Sequence, residues 1–71
     1  MDKKPKTYKA RKVLRDLESK CEYVKSNDGS HQKFTNPAAG KTTVVPIHFG
    51  KDMTRFFVKR IYEQLGLELD Y

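Results

Sequence analysis

Two apolar stripes with helical spacing, one near each end of the chain, restrict the possible folds more than any other feature. The first stripe consists of Ala10, Val13, Leu14, Leu17 and Cys21, and the second of Phe57, Val58, Ile61, Tyr62 and Leu65. Residues three or four positions apart share one face of a helix, so each stripe predicts an amphipathic helix. Thr7 is the expected N-cap of the first helix. Asp52 or Thr54 is that of the second, which we expect to stop at Gly66.

Between the stripes the sequence predicts three short strands, at residues 22–26, 30–35 and 42–47. Asn27-Asp28-Gly29 is a strong hairpin signal because these residue types tolerate the positive φ angles of tight turns. Strands joined by short loops form an antiparallel meander, whose apolar face both helices then have to cover. The predicted fold is therefore α+β, with the order α-β-β-β-α, a three-stranded antiparallel sheet and two helices on one face.

Length and charge restrict the number of domains and the kinds of partner that this chain can have. The 71 residues fit one domain, in which we expect residues 1–6 to form a flexible basic arm. A net charge of +6 favours an anionic partner such as nucleic acid, an acidic protein or a membrane surface. No apolar run has membrane-spanning length and no signal-peptide core follows the start, so we expect a cytoplasmic protein with no membrane partner. The lone cysteine, Cys21, cannot form an intrachain disulfide and is expected to be buried.

Strand alternation predicts which side chains of the second strand are exposed. Ser30, Gln32 and Phe34 share one side, whereas His31, Lys33 and Thr35 share the other. Phe34 is the only large apolar residue in this strand, so its side is expected to face the helices. His31 and Lys33 then point to the uncovered face. A histidine in this setting fits either acid-base chemistry or an ordinary surface position.

Several segments carry a resemblance to a known family. Gly29-Ser30-His31-Gln32-Lys33-Phe34 matches a G-S-H-x-x-aromatic signature, Val45-Pro46-Ile47-His48 a V-P-x-H segment, Lys51-Asp52-Met53 a K-D-L segment, and residues 58–67 a closing helix ending in G-L. In these segments and their spacing, most of the chain resembles the HicA family of bacterial toxins, which cleave messenger RNA. The sequence departs from the family pattern at Cys21-Glu22-Tyr23 and at Phe56-Phe57, outside the signature that contains the histidine.

The resemblance implies a fold similar to a double-stranded-RNA-binding domain and endoribonuclease activity on messenger RNA, with His31 as the catalytic residue. It also implies a HicB-type antitoxin as the partner that covers the toxin. Phe56, if exposed, is a candidate contact for that antitoxin or for a second toxin copy.

The chemistry of RNA cleavage suggests roles for the other residues. The RNA 2′-hydroxyl can attack the adjacent phosphorus without a metal, if one group takes its proton and another protonates the leaving oxygen. A histidine can do either, and Lys33 can hold the phosphate. We assign supporting roles to Gly29, Ser30 and His48 and RNA contacts to Lys9, Arg11, Lys12 and Arg15. Since Cys21, the histidines and the carboxylates lack metal-site spacing, no metal or cofactor is predicted.

One alternative function remains open at the level of sequence. The chain can be a non-catalytic RNA-binding module in which the basic first helix and the exposed sheet only bind. Replacing His31 with alanine separates the two functions, because it removes cleavage and leaves binding largely intact.

Overall fold

The computed structural model describes residues 4–27, 29–47 and 52–71. Its elements, in chain order, are β1 (Thr7–Lys9), α1 (Ala10–Lys20), β2 (Glu22–Lys25), β3 (His31–Asn36), β4 (Lys41–Pro46), β5 (Asp52–Thr54) and α2 (Arg55–Gln64). Strands β2, β3 and β4 form an antiparallel sheet with β3 in the centre. This architecture confirms the predicted α+β fold with its three-stranded meander and two helices.

Contacts of β3 show where the helices lie. Gln32 donates a hydrogen bond of 2.6 Å to the Glu18 carboxylate of α1. Asn36 donates one of 2.8 Å to the carbonyl of Leu65, directly after α2. Both residues lie on the same side of the strand as Phe34, which is completely buried. The two helices therefore cover the same sheet face, as the apolar stripes predicted.

The start of the chain differs from the prediction. Thr7 does not cap α1. It begins β1, and Lys9 occupies the N-cap position without a side-chain hydrogen bond. Strand β1 pairs antiparallel with β5, which brings Tyr8 opposite Met53. The buried Tyr8 and Met53 side chains explain this pairing, since each is the single inward-facing residue of a three-residue strand.

The second helix begins and ends at predicted positions. The Thr54 hydroxyl accepts a hydrogen bond of 3.2 Å from the Phe57 amide, so Thr54, not Asp52, is the N-cap. Gly66 adopts a positive φ of 69° just after the helix. Phe57 belongs to the predicted apolar stripe but is 39% exposed, and Phe56 is 70% exposed. The first turn of α2 therefore presents an aromatic pair at the surface.

The structure also bears on the predictions for Cys21, for the N-terminal arm and for membrane-spanning segments. Cys21 is buried, as expected, and burial together with the nearby Asp16 carboxylate raises the pKa of its thiol. Of the predicted basic arm, residues 1–3 lie outside the described part of the chain, and the Lys6 carbonyl accepts a hydrogen bond from the Arg55 amide. Within the described residues, neither helix is long and apolar enough to cross a membrane.

Candidate functional site

His31 is the first residue of β3 and lies at one end of the sheet, opposite Pro46 of β4. The turn before it is closed by Ser26. The Ser26 amide donates to the His31 carbonyl at 3.0 Å, and the His31 amide donates to the Ser26 hydroxyl at 3.1 Å. Gly29, with a φ of 73°, allows the tight turn and donates its amide to the Ser26 carbonyl. The His31 backbone is therefore held on both its N–H and C=O sides.

Sequence reasoning did not identify Ser26 as part of this site. Serine is common in turns, so its presence in a loop carries little information. A usable signal was its position just before the Asn-Asp-Gly turn, because hairpin register places that residue opposite the first residue of the next strand.

The imidazole of His31 has one polar contact in the described structure. Its Nδ1 lies 2.9 Å from the Ser30 hydroxyl oxygen. If Nδ1 carries the proton, it donates to Ser30 and leaves Nε2 as an acceptor; if the hydroxyl donates, Nε2 carries the proton. Ser30 thus helps to orient the ring, and whether its hydroxyl donates or accepts depends on the imidazole tautomer.

The sheet side opposite the helices, here called the open face, carries His31 and Lys33 together. Both are exposed, whereas Gln32 and Phe34 are buried on the other side, which confirms the alternation predicted for this strand. Lys33 pairs in register with Val24 of β2 and Val44 of β4. These two valines are 68% and 55% exposed. The open face therefore combines an imidazole and an ammonium group with an uncovered apolar surface.

The four cations predicted near the first helix do not act as one group. Lys9 belongs to β1 and forms a 3.5 Å ion pair with Asp52. The ammonium of Lys12 lies 5.3 Å from the centre of the Tyr71 ring. Arg11 and Arg15 instead line a cavity on the helix side of the sheet. None of these four residues lies on the open face with His31 and Lys33.

Gly29 and His48 complete the set of predicted site residues. Gly29 lines the same cavity as Arg11 and Arg15. His48 lies outside the described residues, so its relation to His31 stays a prediction. In the part of the chain that the structure describes, no group of three histidine, cysteine, aspartate or glutamate side chains is placed to hold a metal ion.

Comparisons with known proteins agree with the motifs around this site. The model of the family described as the HicA toxin of bacterial toxin-antitoxin matches residues 10–67, which is most of the chain. No curated protein and no solved structure matches the chain in the two other comparisons. The matched region includes β2, β3 and β4 together with both helices and His31. The chain therefore belongs to the HicA family of bacterial toxins.

Proposed function

We propose that this toxin is a metal-independent endoribonuclease that cleaves messenger RNA with His31 and is neutralised by a HicB-type antitoxin. The main support is the placement of His31: an exposed imidazole at the end of an open sheet face, oriented by Ser30 and sharing that face with Lys33. Membership of the HicA toxin family gives this arrangement a context in which cutting RNA is harmful to the cell.

The proposed reaction uses a nucleophile that the RNA itself contains. A base removes the proton from a 2′-hydroxyl, and the resulting oxygen attacks the adjacent phosphorus. The bond between phosphorus and the 5′-oxygen breaks, and that oxygen takes up a proton. The products carry a 2′,3′-cyclic phosphate and a 5′-hydroxyl. No metal is required to generate the nucleophile in this scheme.

The residues on the open face fit two parts of this reaction. With Nδ1 engaged by Ser30, the Nε2 atom of His31 is the nitrogen that exchanges a proton with RNA. Lys33, two residues along the same strand, supplies positive charge that stabilises the negative oxygens on the pentacovalent phosphorus. One histidine cannot be both base and acid in a single step, so water, Lys33 or His48 has to serve the second role.

A modified substrate tests this proposal. Messenger RNA cleaved by the toxin should end in 2′,3′-cyclic phosphate. A matched RNA with one 2′-deoxynucleotide immediately 5′ of the cleaved bond should remain intact at that bond while neighbouring sites are cut. Cleavage that persists at the deoxy position would mean that an external water is the nucleophile and that the proposed reaction is wrong.

The surface around His31 also suits an inhibitory protein. The exposed Val24 and Val44 provide apolar contacts beside the imidazole and the ammonium group. Phe56 lies on the same side of α2 as Gln64, which accepts a hydrogen bond from Thr43 of β4. Phe57, adjacent to Phe56, lines a surface pocket together with Pro46 of β4, so the aromatic pair lies beside this edge strand. An acidic antitoxin that covers the open face and extends around β4 would contact both.

A further inference from the structure

A cavity of about 390 Å³ lies between α1 and the end of the sheet at which β3 begins. Its bottom is formed by Leu14 and Gln32, which are buried, and by the half-buried Ile47. A cavity of this size, with apolar walls and a few placed polar groups, has the usual composition of a site for a small organic group.

Three cations surround the mouth of this cavity. Arg11 and Arg15 lie one turn apart on α1, and Lys25 is the last residue of β2. All three are exposed, and among the described residues no carboxylate forms an ion pair with any of them. Lys9, by contrast, is paired with Asp52. Unpaired arginine and lysine side chains around a cavity favour a ligand that carries phosphate.

A hydrogen-bonded pair inside the cavity adds specificity. Gln32, only 1% exposed, donates from Nε2 to the Glu18 carboxylate at 2.6 Å. This bond fixes the orientation of both groups. Amide and carboxylate side chains are the ones that recognise the polar edges of nucleobases. A site that binds phosphate by charge alone does not require an amide–carboxylate pair in which the amide is buried and the carboxylate half-buried.

The cavity opens at the same end of the sheet as His31. Gly29 lines it two residues before His31, and Ile47 lines it directly after Pro46, the cross-strand partner of His31. At Gly29, no atom of the described residues other than its chain neighbours lies within 4 Å of the position that a side-chain carbon would occupy. Gly29 itself therefore places no side chain between the open face and the cavity.

We propose that this cavity binds one unpaired nucleotide of the RNA strand, next to the phosphate held at His31. The base lies against Leu14 and Ile47 and is recognised by the Glu18–Gln32 pair, while the cations at the mouth bind the adjoining phosphate. The placement of this nucleotide next to the scissile phosphate rests on the proposed function, whereas nucleotide binding in the cavity does not depend on cleavage. Single-stranded RNA is the expected substrate, because a paired base cannot enter a cavity.

The test uses the full chain carrying His31→Ala and a tetraribonucleotide with 2′-O-methyl groups, so that no cleavage occurs. In an NMR titration, the oligonucleotide should shift the Gln32 side-chain amide and the Leu14 and Ile47 methyl signals. Inorganic phosphate at the same concentration should not. Adding Arg15→Gln should weaken oligonucleotide binding by about tenfold. Lys59→Gln, on the exposed side of α2, also removes one positive charge and serves as the matched control. It should weaken oligonucleotide binding much less, because Lys59 does not line the cavity.

The outcomes separate this inference from the proposed activity. Equal shifts with phosphate would reduce the cavity to an anion site and overturn the inference, as would oligonucleotide shifts confined to the open face. If the wild type cleaves RNA but Arg15→Gln binds as well as Lys59→Gln, the inference fails and the nuclease proposal stands. If the oligonucleotide shifts the Gln32 amide but the wild type cleaves no RNA, the nuclease proposal fails and the cavity remains a nucleotide site.

Discussion

His31 is positioned by neighbours that are close in sequence. Ser26 holds its backbone, Ser30 contacts its ring, and Gly29 makes the turn that brings these groups together. Such local control suits the catalytic role proposed for His31, because a hairpin end fixes the imidazole without burying it. Because only a few local contacts hold His31, small changes in the turn should disturb the site.

Replacing Ser30 with alanine should reduce RNA cleavage by about three- to tenfold, the effect of losing one hydrogen bond of modest strength. Ser30→Thr retains the hydroxyl and should recover most of the rate. Initial rates of RNA cleavage by the purified variants provide the measurement. Equal losses in Ser30→Ala and Ser30→Thr would show that the hydroxyl contact to Nδ1 is unimportant and that only the size of the side chain matters.

Among the elements, Tyr71 joins both helices through a network of tyrosines. The buried Tyr62 of α2 donates its hydroxyl to the Asp16 carboxylate of α1, and its oxygen lies 2.8 Å from the Tyr71 hydroxyl. Tyr8 of β1 donates to the Tyr71 carbonyl and accepts from Arg55. The network ties α1, α2 and β1 together on the helix side of the sheet.

Burial, reinforced by the hydrogen bond to Asp16, raises the pKa of Tyr62 well above its ordinary value of about 10. The folded protein therefore keeps this phenol protonated at pH values where the unfolded chain ionises it. Its contribution to stability is complete below about pH 10 and is lost as the pH rises further.

Tyr62→Phe should lower the free energy of unfolding by about 1–3 kcal/mol at neutral pH, because it leaves the Asp16 carboxylate without its hydroxyl donor. Urea unfolding at pH 8 and pH 11 provides the measurement. The wild type should lose more stability between these two values than the variant does. Equal pH dependence would show that ionisation of Tyr62 is not coupled to folding.

The elements also show what the sequence could predict. Five periodic residues predicted each helix, and alternation predicted the orientation of His31 and Phe34, because these patterns extend over several turns or strand residues. Strands β1 and β5 escaped prediction, since three residues with one buried side chain carry no measurable period. The separation of Arg11 and Arg15 from Lys9 and Lys12 depends on tertiary contacts with Asp52 and Tyr71, which a one-dimensional pattern does not contain.

At the scale of the whole molecule, the cations to which RNA contacts are assigned in the two proposals lie on two surfaces. Lys33 lies on the open face, whereas Arg11, Arg15 and Lys25 surround the cavity on the helix side. An RNA strand can contact both surfaces by passing around the end of the sheet at which His31 lies. If RNA is the partner, as proposed, the net charge of +6 attracts it to the molecule as a whole, and these local groups position it.

RNA affinity should decrease as salt concentration rises, because each lysine or arginine contact releases counterions from a phosphate. With single-stranded RNA and the His31→Ala protein, Lys33→Gln should reduce the slope of log affinity against log salt by about 0.7. Lys59→Gln serves as the charge-matched control and should leave the slope nearly unchanged. Identical slopes for both variants would place the phosphate contacts elsewhere on the protein.

The antitoxin complex should be inactive because the open face is covered. In the complex, His31, Val24 and Val44 should become protected from solvent, and Phe56→Ala should weaken binding by about tenfold or more, as expected for an aromatic anchor buried by the partner. Lys59→Ala should have little effect. Affinity measurements and hydrogen exchange on the complex test this expectation. An inactive complex with the open face still exposed would indicate inhibition by a conformational change.

The most direct test of the central claim compares cleavage and binding of the same messenger RNA by the wild type and by His31→Ala. Because His31 is exposed, the alanine variant should have the circular dichroism spectrum and the unfolding midpoint of the wild type. Its RNA affinity should change little, while its cleavage rate should fall by about 10²–10⁴-fold. A folded His31→Ala protein that cleaves messenger RNA at the wild-type rate would contradict the account.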